Sequence, residues 1–466
     1  MKLLKLVGIL SLMIILCTGC FKNDEKTPEK LFDELPVYNL DKKDISDQVA
    51  DVSKSVALLL PSNSMEVGKI NEVDLNYDSK NEIVFFQKKE GLGLKEEVGF
   101  TILDPDNESY DISYTEVGNK ITYANFYDLD NDRNKEIILL VEGDYLTTLT
   151  ICRYENGKIN TLVNKANYNY FNRNNFTKMG ILVEDINNDN VLDLIVYNYN
   201  YKTKKMNLYA CNLKEDKISI LDKLTFKNIK SFDNIKISIG NIETNKKALF
   251  LNLVENENNK YITEIAYLEN KKFVNAFEEY DEKVLNSYYI PVYDVNNDEI
   301  TNIPIVDSTT VTIDTLSASE LPTSAIVSWN KYNGKKGEEA DLLFVNQIYY
   351  NYENNFKFLI PNNLVGKIYI NEATENINNS FKTFEFYYYD SNIFYEDKNQ
   401  EKKSLFTLNL FEKNIIEDTQ NVKNKESAKV FETNDYVFSV SDVDEKELKK
   451  FDLTIDIIKD YFSKIS

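Results

Sequence analysis

Histidine is absent from this 466-residue sequence, arginine occurs only as Arg133, Arg153 and Arg173, and tryptophan occurs once. The missing imidazole removes Ser-His-Asp and Cys-His nucleophile chemistry, His-ligated zinc and histidine general bases together. Nucleic acid is excluded as a partner on similar grounds. Phosphate recognition needs a basic face, whereas 54 Lys and Arg stand against 76 Asp and Glu, a formal charge of −22. Catalysis, if present, would rest on carboxylates, Lys, Tyr or a bound metal. With 42% hydrophobic residues, the chain can bury a core, and its length suits two or three domains of roughly 100–200 residues.

The first twenty residues read as a targeting segment. Lys2 and Lys5 form a basic head, Leu6 to Leu16 an apolar run too short to span a bilayer comfortably, and Leu16-Cys17-Thr18-Gly19-Cys20 a small-residue exit. This resembles the signal and lipobox of bacterial lipoproteins, although Cys17 stands where an aliphatic residue is usual. The resemblance implies a signal peptide over 1–19, a diacylglyceryl group on Cys20, and anchorage at the extracytoplasmic face of the cell membrane. Residues 20–35 then read as a polar, flexible tether with a reach of roughly 20 Å. The other cysteines, Cys152 and Cys211, lie in similar contexts, TICRYENGKI and YACNLKEDKI. They are expected as small buried residues, because equivalent positions of neighbouring repeats are usually too far apart for a disulfide.

An internal repeat organises the middle of the chain. Four segments share one acidic pattern: Asp74, Asn76, Asp78, Glu82; Asp128, Asp130, Asp132, Glu136; Asp185, Asn187, Asp189, Asp193; and Asp294, Asn296, Asp298 with Asn302. A decayed copy is Asn241-Ile242-Glu243-Thr244-Asn245. The starts at 74, 128, 185, 241 and 294 step by 54, 57, 56 and 53 residues. Alternating stretches such as ITYANFY precede the loops, apolar runs such as EIILLVEG follow, and Asn156-Gly157 is the clearest of the later turns. Each period therefore reads as a strand, an acidic loop and two or three further strands, which stack most naturally as radial blades.

Oxygen ligands at positions 1, 3, 5 and 9 of a tight loop can converge on one hard cation, and calcium takes six to eight oxygens at about 2.3–2.6 Å. An EF-hand would need an acid at position 12, where this chain has Phe85, Leu139 or Val196. The pattern resembles instead the FG-GAP or VCBS repeat of integrin-α-like β-propellers, over roughly residues 65–310. The resemblance implies calcium ligands at Asp74, Asn76, Asp78, Glu82, Asp128, Asp130, Asp132, Glu136, Asp185, Asn187, Asp189, Asp193, Asp294, Asn296 and Asp298. The family commonly has glycine at loop positions 4 and 6; here stand Tyr77 and Ser79, Asn131 and Arg133, Asn188 and Asn190, Asn297 and Glu299. Charge count predicts that the loop at 128 binds calcium most tightly, those at 74 and 185 next, and that at 294 less, all at about 0.1–1 mM or weaker.

The expected architecture is mainly β: a propeller over 36–335 with five recognisable repeats and five to seven blades, then a small α+β domain over 336–466. The segment 35–60 is read as able to supply a closing strand. One helix is expected near the C-terminus, capped by Ser441 or Asp442, with Ile457, Ile458, Tyr461, Phe462 and Ile465 on its apolar face. Trp329 and the clusters Tyr349-Tyr350 and Tyr387-Tyr388-Tyr389 are read as sheet packing. The function expected is a membrane-anchored calcium-binding module for an extracellular protein or wall polysaccharide. The alternative is a carboxylate-based glycosidase or lyase, for which no separate acid/base pair stands out.

Overall fold

A computed structural model describes residues 40–90, 96–104, 112–164, 177–279, 281–306, 323–374, 380–388, 403–413 and 428–465. The signal segment 1–19, Cys20, the tether 20–35 and Tyr389 lie outside the described residues. The chain divides into two units, Met1–Ala57 and Leu58–Ser466. The segment 35–60, read as able to supply a closing strand, holds a helix, Leu40–Val52, a 3-10 turn at Ser53–Ser55 and then a two-residue strand, Ala57–Leu58, that belongs to the first sheet. The spacing of Ile45, Val49 and Val52 accounts for the helix, since these recur at i, i+4 and i+7 along one helical face. Among the described residues no helix is long and apolar enough to cross a membrane.

The second unit is mainly β, with six antiparallel sheets. Sheet I is built on Ile70–Val73, Glu82–Glu90, Glu96–Leu103 and Ile112–Val117. Sheet II holds Lys120–Tyr127, Glu136–Glu142, Thr147–Glu155 and Lys158–Val163. Sheet III holds Thr177–Glu184, Asp193–Asn200, Lys205–Lys214 and Lys217–Phe226. Sheet IV follows the same up-and-down order over Lys236–Glu243, Lys246–Val254, Tyr261–Glu269 and Lys272–Asn275. Consecutive strands pair because the turns between them are short. Asn156 and Gly157, both at positive φ, close the last hairpin of sheet II.

The fifth sheet runs across residue 335, where the sequence suggested a boundary. Its strands Ile303–Val306, Ser324–Tyr332, Leu342–Asn351 and Phe356–Ile360 pair in order, and Phe462–Lys464 adds a last strand. Sheet VI comprises Ile368–Glu372, Lys382–Tyr388, Lys403–Glu412, Tyr436–Ser441 and Ala428–Glu432, paired in that spatial order. The single C-terminal helix becomes two, Glu445–Leu448 capped by Asp444 and Ile455–Asp460 capped by Thr454. The break falls at Asp452, which takes a left-handed conformation that stops a right-handed helix. Phe462, expected on the helix, lies on the added strand instead.

Period-2 alternation of large apolar residues on both strand faces holds the sheets together. Ile137, Leu139 and Val141 enter a core shared with Val84, Phe86 and Phe100 of sheet I. Ile138 and Leu140, on the opposite face, meet Met179, Ile181, Leu194 and Val196 of sheet III. Strands buried on both faces read as continuous apolar runs, which is why EIILLV lacks a polar side. Further shared cores join sheets III to IV, IV to V, and V to VI. Cys152 lies in the first of these cores and Cys211 in the second, both buried and free. Trp329, Tyr349 and Tyr350 are core residues too, with the Trp329 indole N–H donating to the Tyr350 hydroxyl at 3.1 Å.

Candidate functional site

The four acidic segments fold into one recurring loop. In three it links the first two strands of a sheet, and at 294–302 it is closed by a bridge between Tyr293 and Asn302. The ninth side chain faces inward and accepts the N–H of position 2 in every copy. Glu82 accepts from Leu75 at 2.8 Å, Glu136 from Leu129 at 2.9 Å, Asp193 from Ile186 at 3.1 Å and Asn302 from Val295 at 2.9 Å. All four acceptors are buried, as are Leu75, Leu129 and Ile186. The first carboxylate takes the N–H of position 6 at 2.8–3.1 Å, from Ser79, Arg133, Asn190 and Glu299. The fifth takes that of position 7 at 2.8–3.0 Å, from Lys80, Asn134, Val191 and Ile300.

These bonds coil the backbone so tightly that positions 4 and 6 are left-handed in all four loops. Tyr77 and Ser79 have φ of 58° and 71°, Asn131 and Arg133 64° and 81°, Asn188 and Asn190 59° and 63°, Asn297 and Glu299 58° and 65°. These are the positions where the FG-GAP-like pattern has glycine, the residue that takes such angles without steric cost. The copy at 241 is different: Glu243 pairs with Lys246 across a two-residue turn at Thr244 and Asn245, so no loop forms there.

The loops also touch along one end of the stack. Lys135 N–H donates to the Leu75 carbonyl at 2.8 Å, and the Arg133 guanidinium lies 5.1 Å from the Tyr77 ring centroid. Asn188 reaches the Asn245 carbonyl at 2.5 Å, and Thr301 N–H the Asn241 carbonyl at 2.8 Å.

What distinguishes the loops is the residue opposite position 9 on the third strand. In sheet II, Glu136 pairs with Arg153. One step beyond the pairs Ile83–Leu103 and Leu194–Cys211, the corresponding residues are Asp104 in sheet I and Asn212 in sheet III. Arg153 fills the loop at 128. Its Nε and Nη2 lie 2.7 and 2.6 Å from Glu136, Nη2 lies 2.7 Å from Asp130, and Nη1 lies 3.5 Å from Asp132. Nη1 also reaches Asp216, in the last hairpin turn of sheet III, at 2.6 Å. Burial works against the Arg153 charge, but hydrogen bonds to Asp130 and Glu136 offset it and hold the guanidinium charged. Burial raises the Glu136 carboxyl to about 7 against the pull of the Leu129 N–H and Arg153. That carboxylate depends on its cation to remain ionised.

Asp128, Asp130 and Glu136 have carboxylate oxygens within 4.8 Å of one another, close enough to hold a metal ion, yet the guanidinium already holds two of them. The expectation that this loop binds calcium most strongly therefore meets a competitor, since an ion there would have to displace the guanidinium. Carboxylate count measured the ligands and missed the internal cation.

The loops at 74 and 185 take their partners from N–H groups and Asn side chains, and each has a buried, unpartnered oxygen. In one it is Asp74 Oδ1, in the other the Oδ1 of Asn212, across the strand pair from Asp193. Burial raises the carboxyls of Glu82 and Asp193, the latter to about 6, against the N–H groups of Leu75 and Ile186. Carboxylates that burial disfavours, with an unpartnered oxygen in the same loop or on the facing strand, are the donor types a hard cation takes. Residues Asp74, Asn76, Asp78 and Glu82, and Asp185, Asn187, Asp189 and Asp193, supply such donors without an internal cation, although among the described residues only Asp128, Asp130 and Glu136 gather within 4.8 Å of one another. The loop at 294 does not fit as well. Asn302 replaces the ninth carboxylate and leaves its Nδ2, a donor, buried without a partner. Asp298 is held below its ordinary range by the Asn296 amide and the Ile300 N–H, with help from the Lys331 charge.

Sequence reasoning overlooked Arg153, Asp216, Asp104 and Asn212. One signal was available: aligning TICRYENGKI with YACNLKEDKI sets Arg153 against Asn212, a replacement of an oxygen donor by a cation. No protein-family model matches the chain, and no curated protein matches it in sequence.

Proposed function

We propose that the protein is a lipid-anchored, extracytoplasmic β-propeller in which calcium rigidifies the loops at 74 and 185, and that it acts as a binding module for an extracellular protein or wall polysaccharide. The observation that carries this reading is the recurrence of one loop scaffold at the same end of successive sheets, with identical left-handed positions and an inward ninth side chain. Calcium would be held by Asp74, Asn76, Asp78 and Glu82, and by Asp185, Asn187, Asp189 and Asp193. It would supply no chemistry beyond fixing the loops.

Ring closure is supported by the two terminal sheets. Phe85 and Thr101, on the face of sheet I turned away from sheet II, are 0% and 1% exposed. Thr383, Thr407 and Asn409 occupy the corresponding face of sheet VI and are also buried, in a polar network that includes Ser441. Two buried faces on the first and last sheets are what mutual packing of first and last blades would produce. The lipid anchor rests on the sequence of residues 1–20.

A melting curve of the mature protein in calcium and in chelator tests the calcium reading. Stabilisation by millimolar calcium, lost when Asp74 and Asp185 are both changed to Asn, is expected; a curve indifferent to calcium would refute it. Incorporation of a labelled fatty acid, abolished by Cys20→Ser, tests the anchor.

A further inference from the structure

We infer that Arg153 is the resident cation of the loop at 128, a tethered substitute for a metal ion that also fastens sheet II to sheet III. The inference rests on the proposed calcium loops only for its comparison, because the guanidinium geometry stands by itself.

Three features carry it. The Arg153 side chain is 8% exposed and the Glu136 side chain 0%, so the charge has been drawn out of water into the loop, a placement that requires paired carboxylates. Its nitrogens lie 2.6–2.7 Å from oxygens of Asp130 and Glu136. These are the oxygens that an ion would need at about 2.3–2.6 Å, so guanidinium and calcium exclude one another. The remaining negative charge is met by backbone: Leu129 N–H points at Glu136, Asp132 and Arg133 N–H at Asp128, and Asn134 N–H at Asp132.

The second contact adds a role that an ion in the loop would lack. Asp216 sits in the Glu215-Asp216 turn between the last two strands of sheet III, both residues at positive φ, and accepts from Arg153 Nη1 at 2.6 Å. Arginine's planar fork serves both sides at once: one edge grips the loop of its own sheet and the other the hairpin of the next. The junction between sheets II and III is therefore fastened without metal, while the loops on either side, at 74 and 185, remain open to calcium.

Calcium titration of the whole mature protein by calorimetry tests this, with Arg153→Gln, Arg153→Lys and Asp130→Asn. The wild type binds two ions, and Asp130→Asn leaves that number unchanged. Arg153→Gln binds one ion more, and that ion is lost again when Asp130→Asn is added. Arg153→Lys, which keeps a cation, gains none. The inference is overturned if Arg153→Gln folds and binds no additional ion, or if Asp130→Asn in the wild-type background loses one. The second result reads out even if Arg153→Gln fails to fold. A wild type with no bound calcium and an Arg153→Gln variant with one would support the inference while refuting calcium at 74 and 185. The reverse failure, three ions in the wild type with one lost by Asp130→Asn, would leave calcium binding intact and remove the arginine's role.

Discussion

Changing Glu82 separates the two tasks assigned to the ninth loop position, holding the backbone and holding an ion. Glu82 is 1% exposed and accepts the N–H of Leu75, itself fully buried. Gln at this position keeps an oxygen for that N–H and removes the charge, while Ala removes both. A buried N–H left without a partner costs about 1–3 kcal/mol. Unfolding entropy near 2.1 cal/mol/K per residue makes each kcal/mol worth about 1.2 °C for a unit of roughly 400 residues. In chelator, Glu82→Ala should therefore melt about 1–4 °C below wild type. Glu82→Gln should melt at or above it, because burial already disfavours the carboxylate and a neutral amide avoids that penalty. Calcium reverses the order of merit. With a dissociation constant near 0.3 mM and 3 mM calcium, each site adds about 1.4 kcal/mol, close to 3 °C for two sites. Both variants should retain about half of that gain. The assay is thermal unfolding followed by circular dichroism at both calcium levels. A Glu82→Gln protein with the full calcium gain would show that Glu82 is no ligand, and a Glu82→Ala protein as stable as wild type in chelator would refute the backbone role.

Other outcomes follow from the same structure. Cys152 and Cys211 are buried, and burial, with the Glu116 charge and against the Thr161 hydroxyl, pushes the Cys152 thiol up to about 12, while burial alone raises the Cys211 thiol; both should be inert to a thiol reagent at pH 8 until urea unfolds the chain, and fast labelling of the native protein would contradict their placement. The Phe462 ring lies tilted against that of Phe358, centroids 4.5 Å apart, on the strand that completes sheet V, so Phe462→Ala should cost about 3–5 kcal/mol and lower the melting temperature by roughly 4–6 °C. A neutral result there would mean that the last strand does not close the sheet. Glu299 is exposed and left-handed at φ 65°, and Glu299→Gly should stabilise by about 0.5–1 kcal/mol, measurable by urea denaturation; destabilisation would show that the side chain contributes more than its strain.

The repeat was legible because its chemistry is local. Asp128 and Glu136 are eight residues apart and lie in one loop, and the left-handed positions are marked by the absence of glycine where the loop shape requires it. Strand order in sheets I to IV was legible for a similar reason, since short turns pair neighbours. What the sequence hid was long-range. Arg153 meets Asp216 across 63 residues, and only pairing of Glu136 with Arg153 brings a cation into the loop. The run FKFLIP gives no sign that Phe358 will pair with Phe462, or Phe356 with Lys464, over a hundred residues away. The C-terminal helix misled because its apolar spacing continues through Asp452, whose left-handed backbone is a tertiary choice that periodicity does not reveal.

The claim at the centre of the account is that one loop scaffold has been resolved in two ways, by ion and by arginine, on sheets that close into a ring. Anomalous diffraction from calcium-soaked crystals tests it most directly. The account predicts metal peaks in the loops at 74 and 185, the Arg153 guanidinium in place at 128, and sheet VI packed on sheet I. A metal peak among Asp128, Asp130 and Glu136, or an open stack without metal, would contradict it.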